Sequence, residues 1–164
     1  ELGLDYLSKF QGSEAKQRQY FEAQLELWPS HLPLVLHIVR AHQDAIQILK
    51  ATAKTKVLKG FVHSFSGSTE DARAYRSLGL LLSISGSVSR QGHDKTKNAV
   101  RDLPLDSIVI ETDAPDQKPD GAEGNTNSPK NLILIAEKVA ELKGVSVEEV
   151  LKASNANLKK LFNL

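Results

Sequence analysis

The feature that most constrains this chain is a set of short apolar runs without polar alternation: Leu34-Val35-Leu36, Phe61-Val62, Leu80-Leu81-Leu82-Ser83-Ile84 and Ile108-Val109-Ile110. A strand with one wet face alternates polar and apolar residues, so these runs read as parallel strands covered on both faces. Helical stripes lie between most of them. Phe21, Leu25 and Trp28 fall on one face, as do Ala41, Ala45 and Leu49, and again Leu132, Ile135, Ala136 and Val139.

Local punctuation supports the same order. Ser68 with Asp71 three residues on forms a capping signal, and Gly79 stands where that helix should stop. Ser128 reads as a cap with Pro129 in the first helical turn; Gly144 closes that helix, and Ser146 with Glu149 opens the next. Pro29 ends the helix before it. The β, α, β, α order predicts an α/β fold on a parallel sheet, either a barrel or a doubly wound open sheet, and periodicity alone does not separate the two.

Several classes are excluded by what the chain lacks. Without cysteine there is no disulfide scaffold, thiolate zinc cluster or cysteine nucleophile, and a cytoplasmic location fits best. No apolar run approaches the roughly 18 residues of a membrane span, and the start lacks the layout of a signal peptide. A soluble protein with no membrane partner is expected. The loops at Gly67 and Gly86 lack Gly-x-Gly-x-x-Gly spacing, which argues against a Rossmann-like dinucleotide binder. A formal net charge of +1 provides no global basic field, so a nucleic acid would have to be held by a local patch or by bound metal. No linker divides the 164 residues, and one domain over 1–164 is expected. The chain begins at Glu1 and contains no methionine, so its N-terminus is read as incomplete.

The informative polar residues fall at strand ends. His37 ends Leu-Pro-Leu-Val-Leu-His, His63 ends Gly-Phe-Val-His, and Asp113 ends Ile-Val-Ile-Glu-Thr-Asp. Glu1 joins them if a strand precedes it. In parallel α/β folds the C-terminal strand edges converge on one face, where distant residues meet around a ligand. The successive separations of 36, 26 and 50 residues match βα spacing, the last spanning two units. Imidazole and carboxylate together suit a divalent ion such as zinc, manganese or magnesium. A single histidine in such a place is more often a satisfied polar residue than a ligand; the repetition on successive strands is what argues for a metal site. His31, His42 and His93 read as surface or locally hydrogen-bonded residues, and Asp5 and Glu111 as partners of ligands or as loop anchors.

Four ordered motifs carry a resemblance to a known family. Glu-Leu-Gly-Leu-Asp-Tyr at 1 to 6, Leu-Pro-Leu-Val-Leu-His at 32 to 37, Val-His-Ser-Phe-Ser-Gly-Ser at 62 to 68 and Glu-Thr-Asp-Ala-Pro-Asp at 111 to 116 resemble the TatD family of metal-dependent deoxyribonucleases. Asn127-Ser128-Pro129 and Asn157 followed by Leu161-Phe162 are similar to its closing signature. Arg40-Ala41-His42 and Asp113-Ala114-Pro115-Asp116 look closest to the YjjV-like branch.

The resemblance implies a TIM-barrel hydrolase that cleaves phosphodiester bonds of DNA with two divalent ions, Mg, Mn or Zn. By the same resemblance Glu1 bridges the ions and His37 and His63 complete the ligands of one. Asp113 binds the other and assists the attacking water, and Arg40 faces substrate phosphate. Oligomeric state is left open.

The chain departs from the family pattern in two respects. It has no His-x-His pair, and it accounts for about five strands, counting one leading to Glu1, against the eight of a barrel of about 250 residues. The expectation is therefore the later part of a barrel, with an apolar sheet edge left open as an aggregation risk. A catalytically incompetent partial site, or a hydrolase of another ester or amide, is the alternative. Locally, Val39 stands where many relatives have arginine, and Trp28-Pro29-Ser30-His31 makes the connection one residue shorter.

Overall fold

The computed structural model describes residues 1–164. Five strands, β1 (Leu2–Asp5), β2 (Leu34–Val39), β3 (Gly60–His63), β4 (Leu80–Ile84) and β5 (Ile108–Ile110), form one parallel sheet in the order β1-β2-β3-β4-β5. The helices are α1 (Glu14–Leu27), α2 (His42–Thr52), α3 (Thr69–Ser77), α4 (Asp94–Asp102), α5 (Leu132–Lys143) and α6 (Val147–Phe162).

Strand order decides between the two architectures. A doubly wound sheet reverses its order at a switch point; here each strand pairs with its predecessor, and each helix from α1 to α6 packs beside the next. Right-handed crossovers in an unreversed order put all helices on one side of the sheet. This is the winding of a (β/α) barrel, of which the chain forms five strands.

The covered face is dry. Leu34, Leu36 and Ile38 of β2, Val62 of β3 and Leu80, Leu82 and Ile84 of β4 are buried in a contiguous core of 31 residues. Each such aliphatic side chain contributes about 1.5–3 kcal/mol. The second face is covered unevenly. Ile108, Val109 and Ile110 of β5 and Ser83 of β4 are buried, as expected of strands covered on both faces, whereas Val35, His37 and Val39 of β2 alternate with the buried positions and are half-buried, as are Phe61 and His63 on the next strand. The apolar runs reflect the lining of a barrel interior, where inward residues are also bulky and apolar.

The predicted helix signals are present with one exception. Ser68 and Asp71, and Ser146 and Glu149, form reciprocal capping boxes at the starts of α3 and α6. Gly144 adopts the left-handed conformation at the end of α5. α1 ends at Leu27, and Trp28 before Pro29 is extended, as the proline ring demands. The exception is Ser128, whose side chain caps nothing: a short 3-10 turn over Pro129–Asn131 intervenes before α5. The acceptor there is Asn127 Oδ1, which receives the Ser128 N–H at 2.8 Å.

The sheet edges also differ from expectation, because helices of the chain reach over both. On β1, Gln17 of α1 accepts the Asp5 N–H at 2.7 Å and donates back to the Asp5 carbonyl at 2.8 Å. On β5, Ser154 accepts the Ile110 N–H at 3.1 Å, and Asn157 donates to the Ile108 carbonyl at 2.7 Å. Backbone groups paired in this way cannot template another strand, so the edges are blunted where the side chains cover them.

Candidate metal centre

Strand register brings the two histidines together. His37 and His63 are direct partners across the β2–β3 pair, and both occupy the half-buried face. Their rings lie 6.2 Å apart, 27° from parallel. Gly3 pairs with His37 from the other side, and a Cβ there would lie 1.8 Å from the His37 carbonyl oxygen. Glycine is what lets β1 approach the strand carrying this histidine.

Glu1 joins them from the residue directly before β1, and Asp5 stands at the C-terminal edge of that strand. The Glu1 carboxylate faces both rings: Oε1 lies 3.4 Å from His37 Nδ1 and 3.9 Å from His63 Nε2. Asp5 Oδ2 is 3.7 Å from His37 Nε2, on the far side of that ring. The signal for Asp5 was in the sequence, as the acid ending Leu-Gly-Leu-Asp.

Asp113 approaches His63 from beyond β5. The strand stops at Ile110, so Asp113 lies on the following segment and not at the strand's last position, with φ of 57°. Its Oδ1 is 3.2 Å from His63 Nε2. Two residues earlier, Glu111 accepts a hydrogen bond from His63 Nδ1 at 2.7 Å and another from the Ser64 backbone N–H at 2.5 Å. With Nδ1–H engaged by a carboxylate, Nε2 is the ring nitrogen directed at Glu1 and Asp113. Carboxylate partners of this kind fix the orientation of histidines that bind metals.

The electrostatics follow from this crowding of acids. The hydrogen bond to Glu111 is the largest influence on His63, pushing its pKa up to about 9 against the opposing effect of burial; the charges of Glu111, Asp113 and Glu1 add to the rise. Asp113 is held above the usual carboxylate range, chiefly by burial, with Glu111, Asp116 and Glu1 adding and His63 opposing. A cation placed among these groups would relieve the repulsion between acids and compete with the Nε2 proton.

The donor set fits a divalent ion. One ligand atom each from Glu1, His37 and His63 lies within 4.8 Å of the others. Ligands about 2.0–2.2 Å from one ion in tetrahedral geometry stand about 3.4 Å apart, so side-chain shifts of about an ångström would close the group. Asp113 is outside this trio and touches it through His63. A cavity of about 520 Å³, bounded by Glu1, Asp5, His37, Phe10 and Gln17, opens beside it. Arg40 follows β2 in a left-handed conformation, exposed, and lines a separate cavity of about 230 Å³ with Tyr6, His42 and Asp71. His42 is a locally bonded residue there, its Nδ1 3.1 Å from the Tyr75 hydroxyl.

Comparison with known proteins gives the family. The family profile described as TatD related DNase matches residues 1–163. The chain is 33% identical to the uncharacterized metal-dependent hydrolase YabD of Bacillus subtilis, over 100% of this chain and 64% of that protein. It is 35% identical to the human deoxyribonuclease TATDN3, over 99% of this chain and 58% of the relative. The crystal structure of YjjV, a TatD homolog from Escherichia coli, superposes with a TM-score of 0.90 at 31% identity, covering 100% of this chain and 62% of that one. The chain thus spans less than two thirds of the length of these relatives. No helix is long and apolar enough to cross a membrane. From its matched residues, its singly wound parallel sheet and its likeness to YjjV, the chain belongs to the family of TatD-related DNases.

Proposed function

We propose that this chain carries most of the site of a metal-dependent hydrolase that cleaves phosphodiester bonds in DNA, with residues 1–164 as one hydrolase domain acting in the cytoplasm. The observation that carries the reading is the convergence of Glu1, His37 and His63 within 4.8 Å at one end of the sheet. Family membership supports hydrolysis, and the printed name of TATDN3 supports DNA as the substrate class. Absence of cysteine suits the cytoplasmic setting.

In this reading Glu1, His37 and His63 hold one divalent ion, Mg, Mn or Zn, and Glu1 and Asp113 serve a second. Bound there, divalent ions supply Lewis acidity, acidifying water and screening phosphoryl charge. The chain's own residues do the rest. Glu111 keeps His63 turned so that Nε2 faces the site, Asp113 accepts a proton from the attacking water, and Arg40 meets a substrate phosphate.

A second reading, a site that binds one ion without turnover, is favoured by the position of Asp113 outside the three-donor group. One experiment separates them: metal content and cleavage of single-stranded DNA, with and without chelator, for wild type, His63→Ala and Asp113→Asn. The hydrolase reading expects chelator-sensitive cleavage that falls in both variants. Full activity in either variant contradicts the assigned roles, and metal binding without cleavage by wild type leaves the one-ion reading.

A further inference from the structure

The geometry points to Asn127 as the positioning residue that holds Asp113 against His63, an inference resting on Asp113 as a metal-site carboxylate. Asp113 needs such help. It lies beyond the end of β5, on a segment with neither helix nor strand, and at a φ of 57°, a left-handed conformation uncommon for residues other than glycine. Gln117, four residues on, has a φ of 50°. Something outside the segment must hold this shape.

Asn127 is placed to do so. It is 6% exposed, and its Nδ2 donates to the Thr112 carbonyl at 2.6 Å and to the Asp116 carbonyl at 2.7 Å, bracketing Asp113 on both sides. Its backbone N–H donates to the Pro115 carbonyl at 2.9 Å. Its Oδ1 accepts from the Ser128 N–H at 2.8 Å and from Asn131 Nδ2 at 2.9 Å, which ties the clamp to the entry of α5. Both donors and both lone pairs of the side-chain amide are therefore used.

No other side-chain type replaces this set. Aspartate keeps the shape and the acceptor but turns an anionic oxygen onto two carbonyls; alanine removes everything. From the opposite side the segment rests on Gly86, where a Cβ would lie 1.9 Å from the Gln117 carbonyl oxygen. Asn127 draws the turn in, and Gly86 lets it sit down. Asp113 is then delivered 3.2 Å from His63 Nε2.

The test is Mn²⁺ affinity by calorimetry, with melting of the metal-free chain, for wild type, Asn127→Asp, Asp113→Ala, the double variant, and Asn131→Ala as a control that leaves both bracketing donors in place. Asn127→Asp should weaken Mn²⁺ binding about ten-fold or more, the range found when partners of metal ligands are removed. Asn131→Ala should change it far less. The double variant should bind no more weakly than Asp113→Ala alone, because residues acting through one another are not additive.

A lowered melting temperature with unchanged Mn²⁺ affinity in Asn127→Asp would make Asn127 merely structural and overturn the inference. Wild-type affinity in Asp113→Ala, or no Mn²⁺ binding by the wild-type chain, would instead refute the reading of the site itself. If Asn127→Asp does not fold, amide exchange in the wild-type chain decides: Mn²⁺ should slow exchange of the N–H groups of Asn127, Thr112, Asp113, Ala114, Asp116 and Gln117, and unchanged exchange there overturns the proposal.

Discussion

His63 donates its Nδ1–H to Glu111 at 2.7 Å, and this one bond sets which face of the imidazole looks into the candidate site. The same carboxylate also holds the Ser64 N–H, so Glu111 fixes both the ring and the backbone that follows it. Glu111→Gln should keep the packing and lose the charge. We expect Mn²⁺ affinity to fall about ten-fold or more with little change in the fold, measured by calorimetry and circular dichroism. Wild-type affinity would reduce Glu111 to a loop anchor.

Gln17 offers a test of how this partial barrel guards its first edge. Its amide pairs both backbone groups of Asp5, and Gln17→Ala leaves them unpartnered. A loss of about 1–3 kcal/mol in unfolding free energy by urea titration is expected, with greater association at high concentration. An unchanged midpoint and a monodisperse solution would show that water replaces Gln17 without cost.

Much of this architecture was legible because it is written in local chemistry. The capping boxes at Ser68 and Ser146 and the left-handed Gly144 need only their own neighbours, and each reads directly from sequence. Ser128 does not, since the better acceptor, Asn127, is turned toward it by contacts with Thr112 and Asp116 that are distant in the chain. The choice between barrel and open sheet also lay outside periodicity, because it depends on which strand pairs with which. At the site, the side chains of His37, His63 and Glu1 converge as their spacing suggested. Leu-Gly-Leu-Asp is a poor strand by propensity, and only the close approach of β2 makes its glycine necessary.

Buried Tyr75 and half-buried His42 form a pair whose balance can be upset by one atom. The tyrosine hydroxyl is the sole partner of His42 Nδ1, and His42 Nε2 has none. Burial pushes the tyrosine pKa far up and that of His42 down, so both are neutral near pH 7. Tyr75→Phe should destabilise the chain by about 1–3 kcal/mol in chemical unfolding, as removal of one partner orphans a buried polar atom. A change below a few tenths would mean that the pair contributes nothing net.

The cap of α6 carries a pH dependence with a defined sign. Hydrogen bonds from the Ser146 backbone and hydroxyl hold Glu149 below its ordinary value of 4.5. The stabilisation is therefore complete above the unfolded pKa and is lost as pH falls through the lower folded value. Between about pH 5 and about pH 3, the melting temperature of wild type should fall more steeply than that of Glu149→Gln. Parallel curves would show that this capping carboxylate has no linked proton.

The most direct measurement is anomalous diffraction from crystals of the chain grown with Mn²⁺ or Zn²⁺. The account predicts an ion about 2.0–2.2 Å from a carboxylate oxygen of Glu1, a ring nitrogen of His37 and Nε2 of His63. Crystals at saturating metal with no anomalous peak among these three side chains, or with the ion bound elsewhere, would contradict it.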